Sequence, residues 1–169
     1  MANTYTLISS VTVGSGGAST IAFSSIPATY TDLLVKVCAR SNNASINDAI
    51  NLYFNADNTS GNYSCIAVYG NGSNAASYST TQRFGSITAN SATASTFGNL
   101  DLYIPNYTSS NQKSYSTDSV TENNATTAYP ELVAGKWTGT AAINAITMSL
   151  GSGSFMQYST AYLYGIKSS

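Results

Sequence analysis

Seven carboxylates, six cationic side chains, two cysteines and 13 tyrosines make up the titratable side chains of this 169-residue chain, which has no histidine. The missing imidazole removes Ser-His-Asp and Cys-His activation of a nucleophile and the commonest zinc ligand. Neither a Gly-x-Ser-x-Gly elbow nor a phosphate-binding Gly-x-x-x-x-Gly-Lys-Ser/Thr loop occurs. Paired carboxylates remain, because glycoside hydrolysis needs only two, about 5–9 Å apart. Asp101 is the acid most embedded in a strand-like run, and Asp118 and Glu122 share a parity that places them on one strand face. Solvated surface acids are the preferred reading of all three, so no catalytic residue and no cofactor are assigned and the chain is expected not to be an enzyme. The stretch from Asn55 to Asn62 gathers side-chain oxygens as calcium loops do, yet it lacks a closing bidentate Glu and its glycine is misplaced for an EF-hand. It reads as a hairpin loop held by side-chain-to-backbone turns, and no metal site is assigned. Cys38 and Cys65 have no metal or redox spacing and read as two buried thiols inside strands.

The tyrosines offer a different chemistry. Tyr158, Tyr162 and Tyr164 share a parity in a final strand predicted over 155–166, opposite Ala161 and Leu163. A row of tyrosines on an exposed sheet face forms a subunit interface or stacks sugars. The blander reading is packing within their own domain. These three are the interface candidates, and Trp137 alone makes no sugar platform.

The elements that would carry these residues are strands. Alternation with period two runs through most of the chain. Tyr5, Leu7, Val11 and Val13 fall on one parity, and Gly14–Gly17 then precedes Ile21 and Phe23, so the first two segments read as a hairpin. A long strand over 30–40 separates Leu33, Val35, Val37 and Ala39 from Leu34, Lys36, Cys38 and Arg40. Further strands are predicted over 49–54, 63–69, 83–87, 96–104, 114–121, 131–138 and 143–150, and no helix stands out. About ten strands in a chain of this length predict one all-β domain spanning 1–169, an antiparallel two-sheet β-sandwich of jelly-roll type.

Charged residues make up 8% of the chain, against about 25% in an ordinary soluble protein. Ser, Thr and Asn take their place, while the Tyr, Phe, Val and Ile content argues against disorder. A net charge of −1 with scattered cations speaks against nucleic acid and against an anionic membrane surface. No apolar run approaches the roughly 20 residues of a membrane span. The opening residues lack the basic and apolar regions of a signal peptide, so synthesis and retention in a host cytoplasm until assembly or lysis is the expectation. Isolated sandwiches guard their edges with Lys, Pro or inward charge. Here there are only four lysines and three prolines, so bulges, loops or neighbouring subunits must cover the edges.

The opening Tyr5–Val13 run, Ile26-Pro27 with Tyr30–Lys36, the Phe54–Ser64 loop and the closing Ala161–Ile166 resemble small virion proteins of tailed phages, especially those of cyanobacteria and marine bacteria. The resemblance is weakest from Ser86 to Gly139. It implies a β-sandwich component of a bacteriophage virion, and the short, single-domain chain leads us to expect a capsid decoration (cement) protein. Such a protein docks as a homotrimer on the major capsid protein or other virion proteins and reinforces the head shell. The alternative it implies is a tail-fibre or tail-tip module that binds host-surface glycans.

Overall fold

The computed structural model describes residues 4–167. It contains twelve strands: β1 (Tyr5–Thr12), β2 (Thr20–Phe23), β3 (Asp32–Ala39), β4 (Asn47–Phe54), β5 (Tyr63–Gly70), β6 (Ala75–Thr80), β7 (Arg83–Thr88), β8 (Gly98–Ile104), β9 (Lys113–Glu122), β10 (Ala128–Trp137), β11 (Ile146–Leu150) and β12 (Thr160–Ile166). One 3-10 turn, Ser60–Asn62, is the sole helical element among the described residues.

The strands form two antiparallel sheets, ordered β1-β12-β3-β8-β9-β10-β5-β6 and β2-β11-β4-β7. The pairs β1·β12, β2·β11, β3·β8 and β4·β7 are all hydrogen-bonded. The chain is therefore a nested series of antiparallel pairs rolled into two facing sheets, β1-β12-β3-β8 over β2-β11-β4-β7, which is the jelly-roll order. Two hairpins interrupt the nest. One, β5–β6, leaves between β4 and β7; the other, β9–β10, leaves between β8 and β11. They pair with each other through β5·β10, and β9 pairs with β8, so both insertions extend the same sheet.

This order corrects the expected hairpin at the start of the chain. β1 and β2 lie in different sheets, and Gly14–Gly17 carries the chain from one to the other. The parity expected for β1 is also interrupted. Its register with β12 shifts between Leu7 and Ser9. That extra residue resets the inward face, because a one-residue insertion flips every later side chain. Tyr5 and Leu7 are consequently exposed, while Ile8 and Val11 pack against the core.

Between the sheets lies one core that includes Leu33, Val35, Val37, Ile50, Leu52, Phe54, Leu100, Leu102 and Leu163. At the far end of the insertions, Phe54 gathers the rings of Tyr63, Tyr115 and Trp137 at centroid distances of 5.6–6.3 Å. Burial pushes the Tyr63 phenol up to about 12. Its hydroxyl accepts from the Phe54 amide and donates to the Asp57 carbonyl, both at 2.9 Å.

Two glycines make close contacts possible. β7 lies against β8, β9 and β10, and a Cβ on Gly85 would fall 2.6 Å from Leu100 and 2.9 Å from the Ser119 hydroxyl. Its φ of +142° also favours glycine. On β10, Gly135 stands opposite both Tyr115 and Cys65. The Tyr115 ring lies across it to bring its hydroxyl within 3.0 Å of the Cys65 sulfur. A methyl at Gly135 would sit 2.1 Å from that ring, so Gly135→Ala must displace Tyr115 from the core. We expect a loss of about 1–3 kcal/mol, the usual cost of overpacking, read as a lower urea midpoint with unchanged slope.

Candidate assembly face

The outward residues of the eight-stranded sheet can be followed row by row from the pairing registers. One row runs Leu7, Tyr164, Leu34, Tyr103, Ser116, Ala134, Ile66. The next runs Ser10, Tyr162, Lys36, Asp101, Asp118, Leu132, Val68. Many of the large apolar members are bare: Leu7, Ile66, Val68 and Leu132 are 51–58% exposed, and Tyr103 and Tyr162 are each 39% exposed. With strands about 4.8 Å apart and rows about 6.7 Å apart, three rows over eight strands cover about 700 Å². Lys36, Asp101 and Asp118 divide this face into one apolar group around Leu132, Ile66 and Val68 and another around Leu7 and Tyr164, and exposed apolar groups of this kind mark interaction sites.

Two of the three interface candidates, Tyr162 and Tyr164, lie on this face beside Lys36 and Leu34. Tyr158 does not. The last strand begins at Thr160, and Tyr158 occupies the turn before it with φ of +71° and 67% exposure. The turn is pinned on both sides, because the Tyr158 amide donates to the Val13 carbonyl (3.0 Å) and the Val13 amide to the Ser159 carbonyl (2.8 Å). That conformation breaks the strand expected over 155–166 and puts Tyr158 on the rim.

The acids separate. Asp101 and Asp118 stand directly opposite each other on β8 and β9, in the middle of the open face. Asp101 is ion-paired with Lys36. Glu122 lies at the end of β9, where it accepts from the amides of Thr93 and Asn124 at 2.6 Å and locks their turns. The expectation of two buried thiols holds for Cys65 only. Cys38 is exposed on the outer face of β3, four strands away from Cys65, and both are free.

A second feature was not legible in the sequence. The inner face of β5, β6, β9 and β10 projects beyond β7, the edge of the small sheet, and leaves a cleft of about 430 Å³. Its floor is Glu131, only 7% exposed. Ser86 donates to Glu131 Oε2 at 2.6 Å, the Tyr78 hydroxyl donates to Oε1, and Arg83 pairs with both oxygens at 3.3 Å. The Arg83 guanidinium also lies 5.0 Å from the Tyr78 ring centre. Burial, together with the hydrogen bond to Glu131, pushes the Tyr78 phenol well above its ordinary range. In the sequence Glu131 and Arg83 are 48 residues apart, and nothing in their spacing joins them. No family model, curated protein or solved structure matches this chain.

The loop weighed for calcium serves another purpose. Asp57 accepts from Trp137 Nε1 and Asn62 Nδ2 at 2.8 Å and from the Thr59 amide at 3.0 Å. Led by the Trp137 bond, these hold its carboxyl below the ordinary value of 3.8 against the opposing effect of burial. A depressed folded-state value contributes stability above the ordinary value, and that contribution is lost as pH falls through the lowered one. We expect the emission of Trp137, the chain's single tryptophan, to shift in acid below about pH 4. Asp57→Asn should remove that pH-dependent step and lower the neutral-pH melting temperature.

Proposed function

We propose that this chain is a structural subunit of a phage particle, a capsid decoration protein that docks on the head shell through the outer face of its eight-stranded sheet. The role is one of adhesion without turnover. The observation that carries it is the set of bare side chains on this face, Leu132, Ile66 and Val68 on β10 and β5 and Leu7, Tyr162 and Tyr103 on β1, β12 and β8. The sheet face that carries these side chains, about 700 Å², approaches the roughly 800 Å² per partner of a standard stable interface. Aromatic residues are enriched in interface cores, and this face carries Tyr103, Tyr162 and Tyr164. Its charges are concentrated in a central strip, Lys36, Asp101 and Asp118. Lys36 neutralises Asp101, which leaves Asp118 to meet a cationic group on the partner.

The resemblance to small virion proteins of tailed phages supports the same reading. A homotrimer on the shell lattice is the assembly proposed. Repeated over many lattice positions, modest contacts accumulate into strong retention by multivalency. Asp101 and Asp118 line a shallow, open concavity with Leu34, Tyr103, Ile66, Val68 and Leu132, and Asp101 is paired with Lys36, an arrangement that suits docking better than bond cleavage.

A central aromatic anchor is commonly worth about 2 kcal/mol, or about thirtyfold in affinity. We therefore expect Tyr162→Ala and Leu132→Asp to weaken self-association and co-sedimentation with phage heads by at least tenfold. Because both side chains point outward, the melting temperature should change by only a few degrees. Light scattering after gel filtration gives the oligomeric state. A wild-type protein that stays monomeric at high concentration and never sediments with particles would overturn the proposal.

A further inference from the structure

The geometry of the inner cleft points to a binding site for a single neutral saccharide unit, held between Tyr69 and Tyr129 above the Glu131–Arg83 pair. Tyr69 stands opposite Glu131 across β5 and β10, and Tyr129 lies two residues farther along the same face of β10. Such diagonal neighbours are about 7–8 Å apart, a spacing at which two phenol rings can flank one pyranose. Tyr69 is 41% exposed and Tyr129 half-buried, so both retain ring surface that the core does not use. The cleft volume of about 430 Å³ lies within the roughly 300–1,000 Å³ typical of small-molecule sites.

The polar groups define the class of ligand. The only charged residues lining the cleft are Glu131 and Arg83, and they neutralise each other. Both Glu131 oxygens already accept, Oε1 from Tyr78 and Oε2 from Ser86 and Arg83. An anionic or cationic ligand would therefore find no free countercharge. Arg83 engages Glu131 and Ser86 through Nε and Nη2, and Nη1 keeps two donors outside this network. Thr121, opposite Tyr129 on β9 and 3% exposed, lines the cleft with a buried hydroxyl that has no hydrogen-bond partner. A group of this kind normally costs stability unless something satisfies it. Aromatic faces with neutral, fixed donors and acceptors at their edges match the apolar faces and hydroxyl rim of a sugar. The site is on the inner side of the sheet, away from the proposed docking face, so the two stand or fall separately.

Saturation-transfer NMR on the full chain tests this with the methyl glycosides of glucose, galactose and N-acetylglucosamine as neutral probes and glucuronic acid as the charged one. We expect transfer to the ring protons of at least one neutral glycoside, and transfer reduced at least fivefold in Tyr69→Ala and in Tyr129→Ala. Both variants should melt within a few degrees of wild type and sediment with phage heads as wild type does. Amide shifts in the wild type should cluster at Tyr69, Tyr129 and Glu131, a readout independent of how the variants fold. No transfer to any neutral probe, equal transfer in both variants, stronger transfer to glucuronic acid, or amide shifts confined elsewhere would each overturn the inference.

Discussion

Four strands cannot cover eight. Once β5–β6 and β9–β10 are added to one sheet of the jelly roll, that sheet outgrows its partner, and β7 at the partner's edge is the strand that lies against the inserted β9 and β10. The remaining features follow from how the sequence meets this shortage. Near the Phe54 end, large rings from the inserted strands themselves fill the space, with Tyr115 laid across Gly135 and Trp137 stacked near Tyr63. In the middle, Gly85, Ser86 and Ser119 are small enough for β7 to press directly on the larger sheet. There the Ser86 amide donates to the Ser119 hydroxyl at 3.3 Å, and the Thr117 hydroxyl donates to the Phe84 carbonyl at 2.6 Å. At the other end nothing covers the sheet, and polar side chains satisfy one another around Glu131. Cover that is complete, thin and absent along one sheet produces a core, a seam and a cleft.

The same economy governs charge. Arg40, 3% exposed, is solvated by the carbonyls of Asn90, Ala92, Thr93 and Thr96 at 2.7–3.3 Å. Lys113, 1% exposed, sits among the carbonyls of Ser109, Asn111 and Thr140, and burial holds its ammonium below the ordinary lysine range. Buried cations are tolerated only when hydrogen-bonded on this scale, and each here organises a loop. With Arg83 committed to Glu131, three of the six cations are removed from the outer surface. The exterior is thus even poorer in positive charge than the composition states, and the buried Lys113 is not available to guard an edge.

Strand content was largely legible because one-sided burial imprints a period of two. The alternation in β3, β8 and β9 matches inward and outward faces residue by residue. β6 escaped notice because Tyr78 is its single large apolar residue, as expected of an edge strand anchored by one side chain. Parity failed where the backbone added a residue, at Leu7–Ser9, and where Tyr158 entered the left-handed region. Neither event has a glycine to announce it. Of the assembly face, Tyr162 and Tyr164 could be read from their own strand, whereas Leu132, Ile66 and Val68 join them only through register. The cleft depends on which inserted hairpin pairs with which, a property of the whole topology that no local pattern encodes.

The nested pairing has a temporal consequence. β1 finds its hydrogen-bonded neighbour only in β12, more than 140 residues later, and β3 cannot be flanked on both sides until β12 arrives. At about 5–20 residues per second of synthesis, the first strand waits on the order of ten seconds or more with its ladder open. Contacts this distant in sequence also make closure slow once the chain is complete. The inserted hairpins, by contrast, close locally and can form early. A chain poor in charge must cross that interval with little electrostatic repulsion to keep nascent copies apart.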